Sequence, residues 1–463
     1  MGRMADFSFM SLAALSDGLA SRAFSATELL EDVIARHALL EPRLNMFSHW
    51  DVAGARESAA ASDQRIRRGD RIGVLDGIPT AIKDLIAVRD MPQRFGSRAV
   101  ADTPVAADAP AVARLRAAGA VILGKSTTSE FGCKAVGDSP LTGITRNPWN
   151  IAKTPGGSSA GAAAMVAAGL VPYAIGTDGG GSIRIPASLC GLFGIKAQFG
   201  RVPVYPTSAT PTLAHVGPLA RNSADAAQVL AVMAGFDRHD PASVAGALPQ
   251  LGGSGRRLRI AWSPTLGYAR VDPEVAAITQ RAAETLANLN ADVEPVADVM
   301  EDPVDLWTAE FYAGVGARLR RTVQDAPEML DAGVLAVLRQ ALAQDMQGYY
   351  DKVFARYAFR EKMRAFFERY DLLVTPTLPV AAFDVGLDVP PGHEDRNIVS
   401  WVSFTYPFNL TGQPAASLPV GLTQAGLPVG LQLVAPSHDE GVIFDLAARY
   451  EAAQTGGDTR PAL

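Results

Sequence analysis

Residues 153–186 read KTPGGSSAGAAAMVAAGLVPYAIGTDGGGSIRIP. Two glycine-rich turns, PGGSS at 155–159 and GTDGGGS at 176–182, each close on serine and bracket a run of small residues and a short apolar run. No charged residue falls between Thr154 and Thr177, a length that nominally spans a bilayer. Gly156, Gly157, Gly161, Gly169 and Pro172 interrupt it, so the stretch reads as a buried helix followed by a buried strand.

Each turn has a chemical reading and a plain one. In the second, three consecutive glycines let backbone amides approach a ligand closely and adopt positive φ. Such amides form a nest that binds an anion. With Ser182 closing the nest, that anion can be the oxyanion formed when the serine attacks a carbonyl. A flexible turn or a phosphate cradle fits the same glycines. In the first turn, Ser158 and Ser159 open the alanine-rich run, where serine is a good helix N-cap. The turn also fits G-x-S-x-G around Ser159, but that elbow needs a preceding strand, and residues 150–157 are polar and rich in Pro and Gly. Downstream, His215, His239, His393 and His438 supply no matching context. Asp178 and Arg184 flank the nest and read as an ion pair bracing it.

Upstream, GIPTAIKD at 77–84 places Lys83 at the end of an apolar run. A lysine buried there has a lowered pKa and becomes a candidate base. The plain alternative is a strand-end lysine paired with Asp84. GAVILGKS at 119–126 matches the Walker A pattern letter for letter. A phosphate loop needs a strand before it and a turning backbone. Here residues 111–118 read as helix and 120–123 as a β-favouring run, so nucleotide binding is not expected.

The chain has 463 residues, 48% of them hydrophobic, which is ample for a buried core. A net charge of −6 without a basic run argues against a nucleic-acid partner. Two cysteines, Cys133 and Cys190, define no disulfide framework, and six scattered histidines show no zinc spacing, so no metal and no cofactor is expected. The N-terminal MGRMADFSFM lacks a signal-peptide core, and with no targeting signal the expected location is cytoplasmic, with no membrane partner.

Residues 8–70 read as helices, with a capping box at Ser25 and Glu28, and His37 on a helix face. Strands are expected at 75–82, 120–123, 190–196, 258–262, 372–375, 415–420 and 429–434. Helices are expected at 111–119, from the Asp272-Pro273 pair onward, over most of 302–370, and at 439–452. Residues 237–257 read as a linker or surface loop and 376–397 as a Pro-rich loop. The alternation argues an α/β fold around one sheet.

Lys83, Ser158 and Ser182, in these surrounding words, closely resemble the amidase signature family. The resemblance is strongest over residues 70–220. It continues through DLLVTPT at 371–377, PFNLTGQPAASLPVG at 407–421 and GLPVGLQLVAP at 426–436. It implies one α/β domain over residues 1–463, with a single large mixed, twisted β-sheet surrounded by helices. In that domain residues 1–70 are helical, residues 71–235 form the catalytic core, and residues 258–463 complete the sheet and pocket. It implies a catalytic triad of Lys83, Ser158 in a cis peptide, and Ser182 as nucleophile. The oxyanion hole then falls on the amides of Gly179, Gly180, Gly181 and Ser182, and substrate contacts on Gly132 and Thr154. Many members carry Thr or Ile where this chain has Gly179. The reaction implied is acyl transfer from a small-molecule amide or carbamate to Ser182 and then to water, with neutral Lys83 as the base.

Three readings of the substrate remain open in the sequence. One is a stand-alone amidase for apolar or aryl amides, anilides or carbamates, its pocket lined by aromatics of 302–370 and by Trp401, Phe404, Tyr406 and Phe408. The second is a small polar-amide or ureido-acid hydrolase with Lys134, Arg201 or Arg318 clamping a carboxylate. The third is the amidase subunit of a tRNA-dependent amidotransferase. Against that reading, RVPVYPTSATPTLAHVGP at 201–218 lacks the Ser-Leu-Asp-Gln word usual before the Gly-Pro of that subunit. The oligomeric state, for which a homodimer is one option, is not legible.

Overall fold

The computed structural model describes residues 7–246, 255–454 and 459–463. The expected linker at 237–257 therefore lies partly outside the described residues, as does the start of the N-terminus.

The strands are β1 (Phe47–Trp50), β2 (Pro79–Lys83), β3 (Val121–Ser126), β4 (Asp138–Ser139), β5 (Gly143–Ile144), β6 (Tyr173–Asp178) and β7 (Phe193–Lys196). They continue with β8 (His215–Ala220), β9 (Leu258–Trp262), β10 (Ala291–Pro295), β11 (Leu372–Pro376), β12 (Ala415–Leu422) and β13 (Pro428–Val434). Eleven of them form one mixed sheet in the order β1-β3-β2-β6-β8-β7-β12-β13-β11-β9-β10, and β4 and β5 form a separate hairpin. The expected mixed sheet surrounded by helices is thus the observed one.

Strands β3, β2 and β6 run parallel side by side next to the β1 edge of the sheet, with Ile82 opposite Ile175. Each is buried on both faces, which is why it reads as a continuous apolar run rather than an alternating one. Strand β8 is antiparallel to β6 and sets His215 opposite Asp178. Lys83, Asp178 and His215 therefore share one edge of the sheet, the carboxyl end of its parallel strands, where open α/β sheets bind ligands.

The Ala160–Ala167 helix lies across these strands, and every one of its residues is buried. Its small side chains allow close approach. A Cβ on Gly161 would stand 2.1 Å from the Met46 carbonyl oxygen. Each fully buried Ile or Leu around it, such as Ile175 and Leu219, contributes about 2 kcal/mol through removal from water. The uncharged stretch before Thr177 is thus a buried helix and strand. Among the described residues, no helix is long and apolar enough to cross a membrane.

The capping box at Ser25 and Glu28 is present and opens the Ala26–Leu44 helix. His37 stacks on Trp50 with ring centroids 3.9 Å apart, a packing contact. Asp272 caps the Pro273–Ala287 helix as its Pro at the first position suggested. Two expected strands begin later than the sequence suggests. The strand expected at 75–82 begins at Pro79, because Gly77 turns the chain at φ 86°. The strand expected at 190–196 begins at Phe193. Cys190 instead ends the Arg184–Cys190 helix, which Gly191 stops in a left-handed conformation. Residues 8–70 also contain a strand, β1, which pairs with β3. The Walker-like segment is mostly β3, with Lys125 buried and paired to Asp84 at 3.2 Å, so no phosphate loop forms there.

Candidate active site

Lys83 ends β2 fully buried. The alternative pairing with Asp84 does not occur, since that carboxylate faces Lys125. Lys83 Nζ instead meets three hydroxyls: Ser158 Oγ at 2.7 Å, Ser159 Oγ at 2.9 Å and Thr177 Oγ1 at 2.9 Å. Burial pushes its pKa well below the ordinary 10.5, and the Asp178 charge only partly opposes this. Ser159 spends its proton on the Thr177 carbonyl at 3.2 Å, so toward Lys83 it accepts. Ser158 Oγ has no other partner among the described residues, so its proton is free to turn toward the amine lone pair. The Gly157–Ser158 peptide bond is cis. Ser159, at the N-cap of the alanine-rich helix, makes no capping hydrogen bond.

The nest after β6 is held from outside. Asp178 and Arg184 form the expected ion pair at 2.9 Å, with both side chains fully buried. Burial alone raises the Asp178 pKa, but the adjoining guanidinium outweighs it and holds the carboxyl well below the usual range. Asp178 also accepts from the Gly181 amide at 2.8 Å and from Asn409 Nδ2 at 2.9 Å. Arg184 donates onward to the Thr405 carbonyl at 2.9 Å and to Gln432 Oε1 at 2.8 Å. Trp307 Nε1 donates to the Gly179 carbonyl at 2.8 Å and Thr405 Oγ1 to the Gly180 carbonyl at 2.6 Å. The nest carbonyls are thus turned away, and the amides of Gly179, Gly180 and Ser182 have no acceptor among the described residues. The Gly181 amide, by contrast, is committed to Asp178.

Ser182, 9% exposed, borders a cavity of about 340 Å³ together with Ser158, Thr177, Gly132 and Gly179. Among the described residues its hydroxyl makes no hydrogen bond to Ser158. The cavity walls are mostly apolar, with Leu85, Ile86, Phe95, Phe131, Val204, Tyr205 and Phe311 among them.

The structure brings Lys83, Ser158, Ser182, the nest and Gly132 together. Thr154 is buried but does not line the cavity; its hydroxyl faces its own turn, accepting from the Gly156 amide at 3.1 Å. Trp401, Phe404, Tyr406 and Phe408 are fully buried core residues that do not line the cavity. Of the aromatics in 302–370, Phe311 lines it. Two of the expected clamps are spent elsewhere. Lys134 is enclosed by Asp138, Asp331 and Asp388, and Arg201 pairs with Glu440 at 3.0 Å. His215 also lines the cavity, and burial holds its pKa well below normal. Its Nδ1 faces the Leu213 carbonyl at 2.8 Å. Among the described residues, no group of three His, Cys, Asp or Glu side chains could hold a metal ion.

This fold, with a serine-lined cavity at the carboxyl edge of its parallel strands, places the chain among the amidohydrolases, enzymes that act on carbon–nitrogen bonds other than peptide bonds. A model of the Amidase family matches residues 28–444, and the chain belongs to the amidase signature family. An acylamidase of Rhodococcus erythropolis is 34% identical over 469 residues, covering 98% of this chain and 97% of that protein. A glutamyl-tRNA(Gln) amidotransferase subunit of Roseiflexus castenholzii is 35% identical over 473 residues, covering 96% of this chain and 95% of that one. Among solved structures, a bacterial aryl acylamidase of the amidase signature family superposes with a TM-score of 0.91 at 29% identity, over 98% of each chain.

Proposed function

We propose that this chain hydrolyses the amide bond of apolar and aryl amides, anilides and aryl carbamates included, with Ser182 carrying the acyl group. The observation that carries this reading is the buried contact of Lys83 Nζ with Ser158 Oγ at 2.7 Å, on the wall of an apolar cavity that Ser182 shares. Neutral Lys83 takes the Ser158 proton as Ser158 takes that of Ser182. Ser182 Oγ then bonds to the carbonyl carbon. The amides of Gly179, Gly180 and Ser182 hold the oxyanion. The Gly181 amide contributes by fixing the turn to Asp178 rather than by facing the substrate. As the carbon–nitrogen bond breaks, Ser158 returns a proton to the leaving amine and is resupplied from Lys83. Water, deprotonated by the same relay, releases the acid and frees Ser182.

The roomy apolar walls and the likeness to an acylamidase support aryl substrates over small polar amides. Arylamine release from an acyl anilide and an aryl carbamate by the purified chain tests this, with Ser182→Ala as the blank. Release lost in that variant supports the reading. Equal release by both proteins overturns it. The likeness to amidotransferase subunits supports a second reading, an amidase subunit that needs partner chains. An inactive chain that gains glutaminase activity on adding those partners would favour it.

A further inference from the structure

We propose that Arg318 forms an anion subsite at the far end of the cavity, so that the preferred amide has an apolar arm ending in a carboxylate. This rests on the amide-hydrolase reading above and specifies its substrate. Phe311, Val315, Arg318 and Leu319 fall on one face of the Val304–Asp325 helix, and all four line the cavity. Phe311 marks the near end, since a Cβ on Gly179 would stand 2.9 Å from its ring. Arg318 lies seven residues further on, about 10 Å along the axis at the rise of an α-helix. The helix therefore measures a fixed distance from the nest to a cation.

Of the described residues lining the cavity, Asp178 and Arg318 carry charge, and Asp178 is neutralised by Arg184. Arg318 is exposed and has no carboxylate partner among the described residues. Its Nη2 donates to the Thr207 carbonyl at 2.7 Å, which anchors the guanidinium to the 203–210 loop that also lines the cavity. Nε and Nη1 have no protein acceptor among the described residues, so the guanidinium keeps free N–H groups that can each donate a single charge-assisted hydrogen bond to a carboxylate. At the water-facing rim the cation costs nothing to bury, and the apolar walls in between favour a methylene or aryl arm over a polar one.

The test compares ω-carboxyacyl p-nitroanilides, from succinyl through suberyl to sebacyl, with straight-chain acyl p-nitroanilides of matching length. A second series places the carboxylate on the amine arm, with N-acetyl ω-amino acids beside N-acetyl alkylamines. In one arm, once the chain is long enough to reach, Arg318→Gln should lower the carboxylate-to-neutral ratio of kcat/KM about tenfold, mainly through KM, the scale of one partly exposed charge-assisted hydrogen bond. Arg318→Glu should lower it further. Ratios unchanged by Arg318→Gln at every length in both arms overturn the subsite. Binding to the Ser182→Ala protein separates this outcome from failure of the hydrolase reading. If the wild type cleaves nothing, yet the Ser182→Ala protein binds the carboxylate ligand about tenfold tighter than the Ser182→Ala, Arg318→Gln protein, the subsite stands alone.

Discussion

Lys83 Nζ stands 2.7 Å from Ser158 Oγ, joining the end of β2 to a turn 75 residues further along the chain. All three of its partners are hydroxyls, and no carboxylate pairs with it among the described residues. Hydroxyls satisfy the donors of an amine without repaying the loss of water around a full charge. The site thus favours the neutral form of this lysine, the form that the proposed mechanism needs to accept a proton.

Lys83→Met keeps the volume of the side chain and removes the base. It should lower kcat/KM for an acyl anilide by about a thousandfold, within the range for general-base catalysis. Because an apolar group replaces a desolvated amine, thermal unfolding should occur at an unchanged or higher temperature. Loss of less than tenfold, in a protein that melts like the wild type, would remove Lys83 from the mechanism.

The lowered pKa of Lys83 also sets two pH dependences. In the proposed mechanism Lys83 acts as the neutral amine, so kcat/KM should rise with pH through the folded-state pKa and level off below the ordinary 10.5. Stability has the same sign. Between the folded and unfolded pKa values the unfolded chain holds a proton that the folded chain lacks, so stability climbs as pH rises toward 10.5. Lys196 is also buried with a lowered pKa and adds a slope of its own. The difference between wild type and Lys83→Met isolates one lysine. Denaturant unfolding at several alkaline pH values should show a shallower climb in the variant, and parallel curves would contradict the assignment.

Much of this was legible because the informative words are local. Three glycines before Ser182, a lysine ending an apolar run, and an acid–base pair around the nest are each read from a few neighbouring residues. The fold followed from alternating elements and from uncharged runs at β2 and β6. What stayed hidden depends on tertiary approach. Thr177 sits in the nest word yet carries no sign that its hydroxyl reaches Lys83. Trp307, Thr405, Asn409 and Gln432 come from segments 125 or more residues away in sequence and meet the nest only through folding. The short strand β1 was missed because four residues between two helices give too little periodicity. The aromatics at 401–408 fit a pocket wall or an ordinary core equally well by composition, and the structure puts them in the core.

Asp178 and Arg184 offer a test of how the nest is held. Arg184→Met leaves a fully buried carboxylate without its counter-charge and should cost about 3–5 kcal/mol of stability. Asp178→Asn strands the guanidinium and should cost a similar amount. Because the two groups form one network, the double variant should lose clearly less than the sum of the singles. Urea denaturation of the four proteins measures this coupling, and simple additivity would show that the pair does not act as a unit.

Gly179 and Gly181 lie two residues apart in the same nest but face different obstacles. Gly181 has φ 131°, where L side chains are strained, and a Cβ there would meet Thr405 Oγ1 at 2.3 Å. Gly181→Ala should therefore displace the turn, break its bond to Asp178 and abolish nearly all activity. Gly179 has no left-handed φ, and its added Cβ would meet the Phe311 ring edge at 2.9 Å. The ring must yield toward the cavity, so Gly179→Ala should fold normally and narrow the space near the scissile bond. Activity should then fall more for bulky acyl anilides than for acetanilide, by several-fold in kcat/KM. Adding Phe311→Ala should restore the bulky substrates in the Gly179→Ala background, because the methyl group then has room. Equal losses for small and bulky acyl groups, or no recovery in the double variant, would show that Gly179 limits the turn and not the cavity.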